Sequence, residues 1–257
     1  QLGGEKREMT PFFSDIQGFS TISEGLTPEE LVQLLNEYLT AMCDLISSYH
    51  GTIDKFEGDA IIAFWGAPLE LPNHATVACH AAIDMQKKNE EMRKTLREQN
   101  RPMLYTRMGM SSGPVVVGNM GSADRMDYTM MGDVVNLAAR LEGVNKFYQT
   151  FTMISQSTYE LAKDDIDTRQ LDVIRVVGKK EPIQVYEVLE RKNQTSSEKS
   201  GVVEKYLKAL KLYQERNFAD ASKEFEKVLA IDPDDGPSLT YVKRCGVFLE
   251  TPPEKDW

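Results

Sequence analysis

The sequence predicts an α+β fold in which helices pack on one mostly antiparallel sheet. Long helical segments alternate with pairs of short strands, in the order helix, hairpin, helix, hairpin, helix. A doubly wound parallel sheet would instead show a uniform alternation of one strand and one helix. A polar stretch then precedes a second helical region near the C-terminus. We therefore expect a domain over residues 1–190, a linker over 191–201, and a helical extension over 202–257.

The first elements have clear boundary signals. A strand, "MTPFFSD", ends at Asp15, and a long helix follows. Thr27 is its predicted N-cap, Pro28 its first residue and Glu30 the partner in a capping box. Gly51 is predicted to stop this helix. The segment "TIDKFEGDAIIAFWG" then predicts two strands around a glycine turn.

The next elements continue the alternation. A second long helix is predicted over residues 73–99, and "YTRMGMSSGPVVVGNMG" is predicted to form two strands joined by a tight turn. A helix with Asp133 as N-cap, the strand "FTMIS" and a short helix opened by Ser155 follow. Two closing strands, "DVIRVVG" and "IQVYEVL", flank a "KKEP" turn.

Composition excludes several classes of protein. The net charge of −10 argues against a nucleic-acid or anionic-membrane surface. The three cysteines form no CxxC pair, so we expect neither a disulfide framework nor a thiolate zinc site. No apolar run approaches the roughly 20 residues of a membrane span. We expect a cytoplasmic fragment cut from a longer protein, whose remainder is a candidate for membrane anchoring.

The segment after the linker resembles one tetratricopeptide-type helical hairpin. Small, aromatic and terminating residues fall at that repeat's positions, namely Ala209, Ala221, Phe225 and Pro233. A single hairpin cannot bury both of its faces. We therefore expect it to dock on the first domain, on a partner, or on the final segment "YVKRCGVFLE".

Two aspartates at strand ends suggest a cation site. Asp15 follows an apolar strand, and Asp59 follows the glycine of "KFEGDA". If neighbouring strands bring them together, each raises the pKa of the other unless a cation intervenes. Mg²⁺ characteristically binds through one or two carboxylates and the phosphates of its substrate. The alternative is that each aspartate is only a turn or cap residue.

Four motifs together resemble a class III nucleotidyl cyclase catalytic domain. They are "FSDIQGF", "KFEGDA", "YTMMGDVVNLAARLE" and "VVGKKEPIQVYEV", in this order and spacing. The resemblance covers residues 5 to 190 and implies a palm-type, ferredoxin-like βαββαβ core. It also implies that Asp15, Asp59 and the carbonyl of Ile16 hold two Mg²⁺ or Mn²⁺ ions. In that family the ribose 3′-hydroxyl attacks the α-phosphate and expels pyrophosphate.

The resemblance assigns further roles. Asn136 and Arg140, four apart on one helix, match the pair that positions the ribose and stabilises charge on the reacting phosphate. Lys179 matches a lysine for the terminal phosphate. Lys55 and Thr129 match the residues that select the base. A lysine can only donate, which suits the N1 acceptor of adenine, and a hydroxyl can accept from the 6-amino group.

The resemblance therefore implies an adenylyl cyclase that makes cyclic AMP from ATP as a homodimer with two shared sites. Asp15 and Asp59 would come from one chain, and Lys55, Thr129, Asn136, Arg140 and Lys179 from the other. Because the hydroxyl of Thr129 can also donate, guanylyl or mixed specificity remains an alternative. A non-catalytic nucleotide-binding module is another. The resemblance also implies an upstream sensor, and bicarbonate responsiveness occurs in the subset with threonine at this position.

Overall fold

The computed structural model describes residues 3–122, 124–175 and 181–254. Within these ranges the chain forms one sheet of nine strands. The strands are β1 Gly3–Ile16, β2 Thr52–Glu57, β3 Ala60–Trp65, β4 Thr106–Met110, β5 Gly113–Gly121, β6 Met126–Met131, β7 Thr152–Ser155, β8 Ile166–Ile174 and β9 Ile183–Arg191. The helices are α1 Phe19–Glu24, α2 Pro28–Ser48, α3 His74–Glu98, α4 Asp133–Tyr148, α5 Gln156–Ala162, α6 Ser197–Gln214, α7 Phe218–Leu229 and α8 Gly236–Glu250.

The sheet confirms the predicted α+β class. Its main order is β2-β3-β1-β4-β7-β9-β8, and β5 and β6 extend from the N-terminal half of β1. The pair β4–β7 is parallel, and the other described strand pairs are antiparallel. The turn between β2 and β3 contains Gly58 with φ 62°, a conformation that glycine adopts without steric cost.

One predicted hairpin is wrong. The segments β4 and β5 do not pair with each other; both run antiparallel to β1, one after the other along the same edge. Residues 12–16 of β1 pair with β4, and residues 3–9 pair with β5. The intervening Ser111 and Ser112 are buried, and their hydroxyls bond to Ser155 and Thr158 respectively. The strand β5 forms its hairpin with β6 instead.

Helices α2 and α3 cover one face of the sheet. Their apolar residues pack against inward side chains of β1, β3 and β4, including Phe12, Ile61 and Met108. The helix α2 begins as predicted, with Thr27 accepting from the Glu30 amide and the Glu30 carboxylate accepting from the Thr27 amide. Since Phe12 and Ile16 point to this face, the alternating residues Phe13 and Asp15 point to the other.

Helix α4 lies on that other face. It approaches β4 so closely that a Cβ at Gly109 would be 2.2 Å from the Glu142 amide nitrogen and 2.4 Å from the Ala138 carbonyl oxygen. Only glycine fits at this crossing. The helix begins at Asp133 after Gly132, so Asp133 is its first residue rather than the predicted side-chain cap.

The C-terminal helices pack on the sheet domain. The strand β9 ends at Arg191 and α6 begins at Ser197, capped by Ser196, so the predicted linker 191–201 is short and 197–201 are helical. One apolar cluster joins α6, α7 and α8 to α4, β7, β8 and β9. Its members include Leu141, Tyr148, Leu171, Tyr206 and Tyr241. The likeness of α6 and α7 to a tetratricopeptide repeat stays a prediction.

A buried ion pair also crosses the contact between the C-terminal helices and the sheet. Arg169 of β8, 1% exposed, binds Glu187 of β9 at 2.6 Å and Asp235 before α8 at 2.6 Å. A Cβ at Gly236 would be 2.5 Å from the Tyr148 carbonyl oxygen, so α8 meets the end of α4 in close contact. Among the described residues, no helix is long and apolar enough to cross a bilayer.

Candidate active site

The two predicted metal-binding aspartates lie side by side. Asp15 is near the end of β1, and Asp59 stands in the β2–β3 turn beside it. The amide of Ile16 donates to Asp59 Oδ2 at 2.8 Å, which holds the Asp59 carboxylate beside the backbone of the residue that follows Asp15. The antiparallel register of β1 and β3, which pairs Ser14 with Ile61, brings these strand ends together.

The electrostatics of this pair suit a cation. Burial, the hydrogen bond with Asp59 and the negative charges of Asp59 and Glu142 raise the pKa of Asp15 to about 7. A divalent ion between the carboxylates would remove this repulsion, and oxygen ligands are those that Mg²⁺ and Mn²⁺ prefer. No group of three or more His, Cys, Asp or Glu side chains in the described ranges is arranged to hold a metal. The remaining ligands would therefore be backbone, water or substrate oxygens.

A cationic residue that the sequence analysis did not identify faces this pair. Arg107 of β4 is directly opposite Asp15 of β1, and its positive charge lowers the pKa of Asp15. Its Nε lies 3.3 Å from Glu142 Oε1 of α4, and both side chains are less than one-fifth exposed. Burial raises the pKa of Glu142, and the Arg107 charge opposes this rise. Only the strand register, which the sequence does not specify, shows that Arg107 belongs to the site.

Asn136 and Arg140 lie in the first two turns of α4. Both are exposed, and the spacing of four residues places them on one side of the helix. The next turn carries Glu142, which reaches back to Arg107 at the strand edge. The close crossing at Gly109 fixes the height of α4 over the sheet and therefore the position of both exposed side chains.

Lys55 and Thr129 are brought together by a residue that the sequence analysis passed over. Thr129 Oγ1 of β6 donates to Asp54 Oδ2 at 2.6 Å, and Lys55 Nζ of β2 lies 3.6 Å from Asp54 Oδ1. The Asp54 side chain is 3% exposed, whereas that of Lys55 is 44% exposed. The two predicted base-selecting residues therefore share one buried carboxylate.

Lys179, the predicted ligand of the terminal phosphate, lies outside the described residues. Of the other predicted site residues, Asp15, Ile16 and Asp59 form one group in contact. Lys55 and Thr129 form a second group through Asp54. Asn136 and Arg140 follow Thr129 along the chain, on the helix that begins directly after β6.

Comparison with known proteins agrees with the motifs. The bacterial relative "Adenylate cyclase 1" of Rhizobium meliloti is 38% identical over 184 residues, which is 72% of this chain. The crystal structure of the adenylyl cyclase CyaB from P. aeruginosa is 39% identical, with a TM-score of 0.69, and the match covers 76% of this chain and 100% of that one. The crystal structure of the guanylyl cyclase Cya2 is 35% identical, also with a TM-score of 0.69, over 75% of this chain and 97% of that one.

The match does not extend over the whole of the curated relative, because the chain spans 28% of the length of the Rhizobium protein. A family model described as the adenylate and guanylate cyclase catalytic domain matches residues 4–190, the part that contains both aspartates and α4. The palm-type sheet, the paired aspartates and this match agree on one conclusion. The chain belongs to the family of adenylate and guanylate cyclase catalytic domains, the class III nucleotidyl cyclases.

Proposed function

We propose that this chain is an adenylyl cyclase that converts ATP to 3′,5′-cyclic AMP and pyrophosphate. The observation that carries the proposal is the contact between Asp15 and Asp59 at the ends of neighbouring strands. Two adjacent carboxylates repel each other, which contributes to the raised pKa of Asp15, and a cation bound between them would remove that repulsion. Phosphoryl transfer from a nucleoside triphosphate is chemistry that such a cation serves.

Catalytic domains of this family use divalent metal ions. We propose two Mg²⁺ or Mn²⁺ ions per site, held by Asp15, Asp59 and the carbonyl of Ile16. When bound, these ions supply positive charge to the triphosphate and acidify the ribose hydroxyl. The chain itself contributes the two carboxylates, aligned by the amide of Ile16, which fixes one oxygen of Asp59. Arg107 provides further positive charge beside Asp15.

The reaction forms one P–O bond and breaks another. The ribose 3′-oxygen releases its proton to water and bonds to the α-phosphorus, and the bond from that phosphorus to the bridging oxygen of the β-phosphate breaks. Pyrophosphate leaves with that electron pair. We assign Asn136 to holding the ribose and Arg140 to neutralising the charge that develops on the α-phosphate. Both are exposed on α4, as residues that meet substrate from a second chain must be.

We propose ATP as the substrate because of Lys55 and Thr129. The ammonium of Lys55 is a donor for adenine N1, and the oxygen of Thr129 accepts from the adenine 6-amino group. Guanine presents the opposite pattern, a donor at N1 and an acceptor at O6. A similar protein of known structure is a guanylyl cyclase, so the family likeness alone does not select the base.

We propose a homodimer with two equivalent sites. The aspartate pair of one chain would face Lys55, Thr129, Asn136, Arg140 and Lys179 of the other. In this arrangement a monomer is inactive, and an upstream sensor regulates activity by changing the alignment of the two halves. We also propose that residues 1–190 are the catalytic domain and that the helices after residue 201 stabilise it.

Turnover of the purified chain tests the proposal. The chain is assayed with ATP and, separately, with GTP, in Mn²⁺ and at several protein concentrations. We expect cyclic AMP, with activity rising more steeply than protein concentration because monomers associate. The Asp59→Asn variant should lose activity by at least about a hundredfold. The matched control Asp44→Asn removes the same charge from an exposed site on α2 and should retain activity.

Other outcomes would overturn specific parts of the proposal. Cyclic GMP as the main product would refute the assignment of Lys55 and Thr129. No product from either nucleotide, in a protein that binds both and is dimeric, would support a non-catalytic binding module. Undiminished activity of Asp59→Asn would refute the metal site.

A further inference from the structure

A buried carboxylate contacts both residues assigned to base selection. Asp54 occupies a β-bulge in β2, where the register to β3 shifts between Ile53 and Lys55. Neighbouring residues of a regular strand point to opposite faces, but a bulge redirects its side chains. Here the carboxylate of Asp54 lies within 3.6 Å of the Lys55 ammonium. In a regular strand the side chains of Asp54 and Lys55 would point to opposite faces of the sheet.

The hydrogen bond between Asp54 and Thr129 has a fixed direction. The Thr129 hydroxyl is the donor in the 2.6 Å contact, and the carboxylate oxygen Oδ2 of Asp54 is the acceptor. A threonine hydroxyl has a single proton. Once that proton is committed to Asp54, only the lone pairs of Thr129 remain for any other partner.

We infer that Asp54 is a specificity-determining residue that forces Thr129 to act only as an acceptor toward the nucleotide base. This inference rests on the proposed function and identifies what makes its site select ATP. Adenine offers an amino donor to Thr129, which matches, whereas guanine offers its O6 acceptor, which does not. A lone threonine could satisfy either base by rotating its hydroxyl. The carboxylate of Asp54 removes that choice.

The same carboxylate also orients Lys55. Its second oxygen, Oδ1, is buried, makes no hydrogen bond among the described residues and lies on the side of the ammonium group. The Lys55 ammonium and the Thr129 hydroxyl therefore both lie against one buried carboxylate inside the bulge. The donor for adenine N1 and the acceptor for its 6-amino group are held in register with each other.

The variant Asp54→Asn tests the inference because its amide has a preferred orientation. The carbonyl oxygen should face the Lys55 ammonium, which places the amide NH₂ toward Thr129. Thr129 then accepts from Asn and its own proton becomes available to guanine O6. We expect the ratio of kcat/KM for ATP to kcat/KM for GTP to fall by about tenfold or more. Asp127→Asn, an exposed change of the same charge on β6, should leave the ratio unchanged.

A double-mutant cycle separates this role from a purely structural one. Thr129→Val removes the hydroxyl, so Asp54→Asn should have no further effect on the ATP/GTP ratio in that background. Thr129→Ser retains the hydroxyl and should retain the ratio. If Asp54→Asn lowers both kcat/KM values equally, or changes the ratio in Thr129→Val as much as in the parent, the inference is refuted.

Binding measurements keep this test independent of turnover. Dissociation constants for 3′-deoxy-ATP and 3′-deoxy-GTP, which lack the attacking hydroxyl, report base selection alone. A protein that makes no cyclic nucleotide would refute the proposed function. An unchanged ratio of the two dissociation constants in Asp54→Asn would refute the role of Asp54, whether or not the parent is an active cyclase.

Discussion

Replacing Asp235 by asparagine tests whether the C-terminal helices are part of the folded catalytic unit. Asp235 is buried before α8, and its Oδ1 lies 2.6 Å from Arg169 Nη1 of β8. Its Oδ2 accepts from the amide and the hydroxyl of Ser238 at 3.2 and 2.6 Å. Asparagine is nearly isosteric and caps a helix as well as aspartate does, so the substitution removes mainly the charge.

The magnitude follows from the burial of the pair. Removing one partner of a buried ion pair costs about 3–5 kcal/mol. Arg169 keeps its contacts with Glu187, so we expect the lower end, about 3 kcal/mol. For a protein of this size each 1 kcal/mol shifts Tm by about 2–4 °C, which predicts a fall in Tm of about 6–12 °C. Burial opposes ionisation, but Arg169 and Ser238 hold the pKa of Asp235 below its usual value.

The assay is thermal unfolding of the whole chain, with Asp234→Asn as the matched control. Asp234 is exposed and adjacent in sequence. The stability that Asp235 contributes is present above its unfolded pKa of about 3.9 and is lost as pH falls through its lower folded value. The difference between parent and variant should therefore shrink below pH 4. If the Tm of Asp235→Asn lies within about 1 °C of that of Asp234→Asn at neutral pH, the ion pair of Asp235 and Arg169 does not stabilise the packing of the helices on the sheet.

Two other perturbations give distinct results. Gly109→Ala in β4 should displace α4, destabilise the fold by about 1–3 kcal/mol and lower cyclase activity at least tenfold. Gly143 lies in α4, where a Cβ would meet nothing within 4 Å, so Gly143→Ala should stabilise the fold by about 0.5–1 kcal/mol. Equal behaviour of the two variants in denaturant titrations and activity assays would contradict the close crossing. Burial lowers the pKa of His74, so the unfolded chain takes up a proton more readily than the folded one, and unfolding free energy should fall as pH drops below about 6.5. Denaturant titrations from pH 5 to 7.5 should show that the unfolding free energy changes less with pH in His74→Gln than in the parent, but not in the exposed control His50→Asn. Identical slopes of unfolding free energy against pH in both variants would refute this.

Local signals predicted the elements that depend on local chemistry. The capping box at Thr27 and Glu30, the turn at Gly58 and the cap at Ser155 are all present. The C-terminal end of α2 differs from the prediction, because the residue with a positive φ there is His50, at 62°, rather than Gly51. Gly51 is needed for another reason. A Cβ there would lie 2.8 Å from the ring of Trp65, a contact that depends on distant packing.

The features that sequence reasoning missed depend on strand pairing. "SSGP" has the composition of a tight turn, yet β4 and β5 continue along β1 because that strand is long enough to pair with both. The position of Arg107 opposite Asp15 follows from the same pairing. The sequence did not indicate Asp54, because neighbouring residues of a regular strand point to opposite faces. Only the bulge brings its carboxylate close to the Lys55 ammonium. The aspartates themselves were identifiable, because Asp15 lies at the end of an apolar strand and Asp59 follows the glycine of a turn.

Mixing two inactive variants tests the shared site most directly. Asp59→Asn disables the metal side of each site, and Arg140→Ala disables the opposite side. In a homodimer with sites between chains, a mixed dimer combines both defects in one site and leaves the other intact. Random association of equal amounts makes half of the dimers mixed, which predicts about a quarter of parental activity from two inactive proteins. No recovery in a mixture shown to contain mixed dimers would mean that each chain builds its site alone, and the account would be wrong.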